Sequence, residues 1–128
     1  MKRATRRWLK KADADWKMAQ ILARAPEKPA DGVCFHCQQA AEKFLKALLE
    51  EAGRPIPKTH ELGDLYHLAL PTYARLRSLL RGLIFLTQFA VEIRYPGKDA
   101  TWRQAQAALR WAKLVRGRCR ESLGLPPD

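Results

Sequence analysis

The chain between positions 31 and 53 reads DGVCFHCQQAAEKFLKALLEEAG, and it carries the clearest helical pattern in the sequence. Asp31 is a suitable N-cap residue, and Gly53 stands where a glycine commonly ends a helix. Between them, apolar side chains recur every three or four residues and so share one helical face: Cys37, Ala41, Phe44, Leu48 and Ala52. The pattern predicts a helix over residues 32–52 whose apolar face contributes to the core.

Proline and glycine divide the rest of the chain into further helical stretches. We predict helices over residues 5–24, 72–93 and 99–123, and a short helix that has Thr59 as N-cap, has Glu61 in its first turn and ends near residue 70. The chain contains 37 Ala and Leu residues against 12 Val, Ile and Thr, a ratio that favours helices over strands. The predicted fold is all-α: an antiparallel up-and-down bundle of four long helices plus one short helix, in a single domain over residues 1–128.

The stretch 72–93 is apolar on nearly all sides. A helix of this kind is usually buried from several directions, here by its own bundle and by a second copy of the chain. A homodimer is therefore expected.

The charge of the chain is strongly positive and unevenly placed. The formal net charge is +11, and most of the excess lies in residues 1–24 and 94–128. The first and last helices of an up-and-down bundle often lie side by side, which would join the two basic segments. The result would be either a solvated basic surface or an electrostatic footprint for RNA, DNA or nucleotide phosphates.

Targeting signals and disulfides are not expected. The basic amino terminus runs into Asp13 and Asp15 rather than an apolar stretch, so no signal peptide is predicted, and no segment is suited to span a membrane. Three cysteines cannot all pair, which favours the reducing cytoplasm. Cys34 and Cys37 form a C-x-x-C, but a structural metal site needs a second pair of ligands, so we interpret both as packing residues. No metal and no cofactor is predicted.

Three sets of polar residues are candidates for binding phosphate. His36, Gln39, Lys43 and Lys46 form a strip on the predicted second helix, which is either solvated or a contact surface for a partner subunit or a phosphate. His60, at the head of the short helix, either binds an anion or completes a local hydrogen-bond network.

The third candidate is the segment from Arg94 to Lys98. Pro96 and Gly97 shape it as a loop, in which Arg94 and Lys98 could bind phosphate and Tyr95 could stack on a base. The alternative is a structural turn with Tyr95 buried.

The sequence resembles HEPN domains, the higher eukaryote and prokaryote nucleotide-binding family. The likeness rests on residues 34–49 (CFHCQQAAEKFLKALL), then Gly53 with Pro57, Thr59-His60-Glu61-Leu62, and Arg94-Tyr95-Pro96, in this order. The resemblance implies an all-α bundle that is commonly a homodimer. It also implies a partner protein, a minimal nucleotidyltransferase, in a two-component toxin–antitoxin or nucleotide-modifying pair.

The resemblance also bears on catalysis. Ribonuclease members of the family carry an arginine followed after four to six residues by a histidine, near the start of the last helix. Here Arg94 stands at about that place, but residues 95–103 contain no histidine. Arg54 and His60 match the spacing in a different place, so they are only weak catalytic candidates. We therefore expect a binding protein, with two alternatives: a metal-independent endoribonuclease toxin that uses His60 with Arg54 or Arg94, and a purely structural dimerisation module.

Overall fold

The computed structural model describes residues 1–90 and 96–128, and in these ranges all regular structure is helical. The α-helices are α1 (Arg3–Ala23), α2 (Ala30–Glu51), α3 (Leu62–Ala69), α4 (Leu80–Thr87) and α5 (Trp102–Ser122), with a 3₁₀-helix (Ala74–Leu79) directly before α4. None of the helices in these ranges combines the length and the hydrophobicity that a membrane crossing requires.

Helix α2 lies at the centre of the bundle and packs against each of the other four α-helices. Cys37, Ala41, Phe44 and Leu48, on the predicted core face, are fully buried, whereas Ala52 is only half-buried. Burial extends well beyond this face, because the helix has neighbours on several sides. Small alanines in α2 let those neighbours approach closely, and the polar side chains of the helix therefore become part of helix–helix contacts.

Contacts at the ends of the three long helices show the relative directions of these helices. At the start of α1, the backbone N–H of Lys2 and the hydroxyl of Thr5 donate to Glu51 at the end of α2, over 3.0 and 2.9 Å. These two helices are therefore antiparallel. The backbone N–H of Ala100, just before α5, donates to Asp31 Oδ1 in the first turn of α2 over 2.6 Å. Helices α2 and α5 consequently run in the same direction, and α1 is antiparallel to both.

Of the two predicted ends of α2, one is confirmed and one is revised. Gly53 ends α2 as predicted: it has φ of 67°, and its N–H donates to the Glu50 carbonyl while that of Arg54 donates to Leu49. The N-cap prediction for Asp31 is wrong, because Pro29 occupies that position and Asp31 is used to hold the segment before α5.

The starts of α3 and α5 also differ from prediction. Thr59 is not the N-cap of α3: its hydroxyl accepts from the Glu61 N–H within the preceding loop, and Glu61 itself is the N-cap residue. The last helix begins at Trp102 rather than near residue 99. Thr101 caps it and Gln104 reaches back to the Thr101 N–H, which is a complete capping box.

The predicted fourth long helix over residues 72–93 is wrong in its first part. Residues 74–79 form a 3₁₀-helix, in which Leu76 and Leu79, one 3₁₀ turn apart, both enter the core. Among the described residues, α4 is a short helix, so the bundle has three long helices and two short ones. Ile84 on α4 remains 61% exposed in the single chain.

Candidate functional site

The predicted loop site is described only in part. Arg94 and Tyr95 lie outside the described residues. Lys98 is exposed and borders a polar surface cavity of about 250 Å³, together with Gln88, Asp99 and Gln104. Asp99 therefore contributes negative charge to the cavity in which Lys98 was expected to meet phosphate.

The polar strip of α2 faces α1 rather than open solvent. Its His36 Nδ1 lies 2.8 Å from Asp15 Oδ1, and Lys43 Nζ donates to the other oxygen of the same carboxylate. Asp15 projects from α1 and is largely buried, with 13% of its side chain exposed. One carboxylate thus contacts an imidazole and an ammonium group across the helix interface. A phosphate that approached His36 or Lys43 would compete with Asp15 for them.

A second polar network surrounds Glu42, whose side chain is only 6% exposed. Its Oε1 accepts from Gln38 Nε2 at 3.2 Å and lies 2.8 Å from His60 Nδ1, while Oε2 accepts from Lys46 Nζ at 3.0 Å. Gln39 joins the network by donating to Gln38 over 2.7 Å. The network links the centre of α2 to the loop that precedes α3.

The ionisation of Glu42 follows from these contacts. Burial alone would raise the pKa of this carboxyl group, but hydrogen bonds from His60, Lys46 and Gln38 more than offset the effect. Its pKa therefore lies below the usual range, and the group is a carboxylate at neutral pH.

His60 combines a buried anchor with an accessible ring. Its Nδ1 is held by Glu42, and 62% of the side chain is exposed. When the imidazole is neutral, donation from Nδ1 to the carboxylate leaves Nε2 as the nitrogen that can accept a proton. Arg54 is also exposed, but its guanidinium forms no hydrogen bond or ion pair with His60 or with any other described residue.

The two cysteines of the C-x-x-C belong to the core. Cys34 and Cys37 are fully buried in the main hydrophobic cluster, which confirms their interpretation as packing residues. Burial raises the pKa of the Cys34 thiol to about 12 and that of Cys37 still further. Neither thiol is a reactive thiolate at neutral pH.

Helices α1 and α5 both pack mainly on α2 and contact each other at only a few points, so the predicted side-by-side packing of the first and last helices is confirmed only in part. Arg116, in the second half of α5, donates to Asp13 at the middle of α1 over 3.0 Å. Each helix carries six Lys and Arg residues, against two aspartates in α1 and one glutamate in α5. The two basic segments of the sequence are therefore neighbours in space.

The family model described as HEPN domain matches residues 5–122. No curated protein and no solved structure matches the chain. The match spans all five α-helices, including the central helix and the antiparallel pair that carries the basic residues. On this evidence the chain belongs to the HEPN domain family.

Proposed function

We propose that this HEPN protein binds nucleotide or RNA phosphate through its basic surface, as the partner subunit of a minimal nucleotidyltransferase. It would act as a homodimer in the cytoplasm, in a two-component system of the toxin–antitoxin type. The observation that carries the binding proposal is the arrangement of charge on α1 and α5. Membership in the HEPN family, whose domains are associated with nucleotides and RNA, supports the same function.

The aspartates of α1 are neutralised from other helices. Asp13 pairs with Arg116 on α5, and Asp15 pairs with His36 and Lys43 on α2. In contrast, none of the six cations of α1 forms an ion pair with a described residue. The acidic groups of this helix thus face its neighbours, whereas its basic side chains are left for an external anion. Such a surface attracts phosphates through counterion release.

The binding proposal is tested with a fluorescently labelled single-stranded RNA, by measuring anisotropy over a series of salt concentrations. We expect Arg6→Gln with Lys10→Gln on α1 to weaken binding and to lower the slope of log K against log salt by about 0.7 for each lost phosphate contact. Removal of two exposed charges outside α1 and α5, Arg77→Gln with Arg81→Gln, is the matched control and should leave the slope unchanged. Salt-independent binding, or no binding by the unmodified protein, would contradict the proposal.

The proposed protein partner is tested separately. If a minimal nucleotidyltransferase is encoded in the adjacent reading frame, the two proteins should co-purify after co-expression. For the proposed homodimer, the exposed Ile84 on α4 offers apolar surface to a second copy.

A second function, RNA cleavage, is favoured by the Glu42–His60 pair. A buried carboxylate that fixes Nδ1 of an exposed imidazole orients Nε2 for proton transfer. Nε2 would take the proton of a ribose 2′-hydroxyl as its oxygen bonds to the adjacent phosphorus. The 5′-oxygen would leave with a proton from water, and Arg54 would stabilise the negative charge of the transition state.

This second function predicts metal-independent cleavage. Purified protein should cut RNA in EDTA, and His60→Ala should reduce the rate at least a hundredfold, because the proton acceptor is lost. His67→Ala removes another exposed histidine, on α3, and should leave the rate unchanged. Intact RNA after incubation with the unmodified protein, or equal loss in both variants, would eliminate cleavage by His60.

A further inference from the structure

A groove of about 300 Å³ runs between α1 and α5 near the end of α1. Its lining combines an aromatic and aliphatic floor with exposed cations at the rim: Trp16, Gln20, Ala23, Arg24, Leu109, Arg110 and Lys113. This volume is at the small end of the range for ligand pockets, which fits one nucleotide unit rather than a folded partner.

The floor of the groove is held in place by the core. Trp16 and Leu109 are partly buried and pack against the main hydrophobic cluster, while both also line the groove. An indole fixed in this way loses little side-chain entropy when a flat ring stacks on it. The floor is therefore suited to an unpaired base.

The rim of the groove carries positive charges that are not paired with acidic side chains of the described residues. Arg24, Arg110 and Lys113 are exposed and form no ion pair with a described residue. No acidic side chain is among the described residues that line the groove. A phosphate in this groove would meet three positive charges and no carboxylate from the residues that line it.

Other basic cavities of the described chain differ in this respect. The cavity at Arg6 and Lys10 includes Asp13, and that at Arg7 and Lys11 includes Glu50. The cavity at Lys98 includes Asp99, and the one at Arg118, which Arg110 and Lys113 also line, includes Glu121 and Asp128. Each of these cavities has an acidic residue in its lining, although Asp13 is paired with Arg116. The lining of the groove between α1 and α5 contains none.

We infer that this α1–α5 groove binds one nucleotide of a single-stranded RNA, with its base on Trp16 and Leu109 and its phosphate at Arg24, Arg110 and Lys113. The inference rests on the proposed binding function and specifies its site and the kind of RNA. An unpaired strand is required because a base within a duplex has no open face to stack on the indole.

The test measures the anisotropy of a labelled single-stranded oligoadenylate and of the same strand in a duplex. We expect Trp16→Leu, which keeps an apolar floor but removes the stacking ring, to weaken single-strand binding about tenfold and duplex binding little. Trp111→Leu is the matched control, since Trp111 is another partly buried tryptophan but lies against Gly82 of α4, outside the groove, and this variant should bind as the unmodified protein does.

A second variant keeps the test decisive if Trp16→Leu fails to fold. Arg110→Gln with Lys113→Gln changes only exposed side chains, and it should lower the salt slope by about 1.4, or 0.7 for each phosphate contact. Absence of RNA binding by the unmodified protein would refute the proposed function itself. Normal binding by the unmodified protein and by the Arg110 and Lys113 double variant would refute only this site.

Discussion

Replacement of Glu42 by alanine is expected to lower the free energy of unfolding by about 3 kcal/mol or more. Lys46, with 11% of its side chain exposed, would lose its ion-pair partner, and Gln38 would lose a hydrogen-bond acceptor. The Lys46 ammonium lies 5.7 Å from the ring centroid of Trp8, and this weaker cation–π contact would compensate only partly. Urea denaturation followed by far-ultraviolet circular dichroism gives the measurement.

The matched control removes both charges of the pair. Glu42→Leu combined with Lys46→Met leaves no buried charge without a partner, so the double variant should recover most of the lost stability. A cost below 1 kcal/mol for Glu42→Ala would show that the network contributes little to folding.

The same carboxylate makes stability dependent on pH. Because its folded-state pKa is below the usual 4.5, its contribution is fully present above pH 4.5 and is lost as the pH falls through the lowered folded-state value. The melting temperature of the unmodified protein should therefore fall with pH in this range. In Glu42→Gln, the part of this decrease that the carboxylate causes should be absent. His60 and Lys46, which both contact the carboxylate, remain in both proteins.

Gly82→Ala is expected to be the second most damaging change, with a loss of about 2 kcal/mol or more. A Cβ atom at position 82 would lie 2.1 Å from Cε3 and 2.2 Å from Cδ2 of Trp111. The indole of α5 would have to move away from α4, which costs more than the roughly 1 kcal/mol that alanine gains over glycine inside a helix. Thermal unfolding of the two proteins measures the difference.

Gly63→Ala is the control for helix propensity. Gly63 is also helical, in α3, but a Cβ atom there would have no neighbour within 4 Å. This variant should be about 0.5–1 kcal/mol more stable than the unmodified protein. A stabilising Gly82→Ala would contradict the close packing of α4 on α5.

Prediction of the helix ends from sequence succeeded at the end of α2 and failed at the starts of α2, α3 and α5. Gly53 ends α2 because glycine readily takes the left-handed conformation found there, and the apolar period of α2 correctly identified its core face. Thr101 and Gln104 form a capping box that was also present in the sequence, and it would have placed the start of α5 correctly. The spacing of Leu76 and Leu79 suits both a 3₁₀-helix and an α-helix, so this pattern alone does not distinguish them.

The polar contacts depend on tertiary neighbours, and sequence reasoning largely missed them. Gln38, Glu42 and Lys46 recur every fourth residue, which indicates a common side of α2 but not that this side is buried. Asp15 and His36 are 21 positions apart, and only the packing of α1 on α2 brings them together. For His60, both sequence interpretations remain relevant, since it completes a local network and still exposes its ring.

The equal length of α1 and α5 has a consequence for the size of a bound strand. Each helix has 21 residues, and such a helix is about 32 Å long. At a stacked spacing of about 3.4 Å for each nucleotide, a strand laid along the pair would present about nine phosphates. The length of the two helices would then set the length of RNA that one molecule binds. Shorter oligomers would contact only some of the cations. Longer oligomers would need a second protein molecule, aligned end to end with the first.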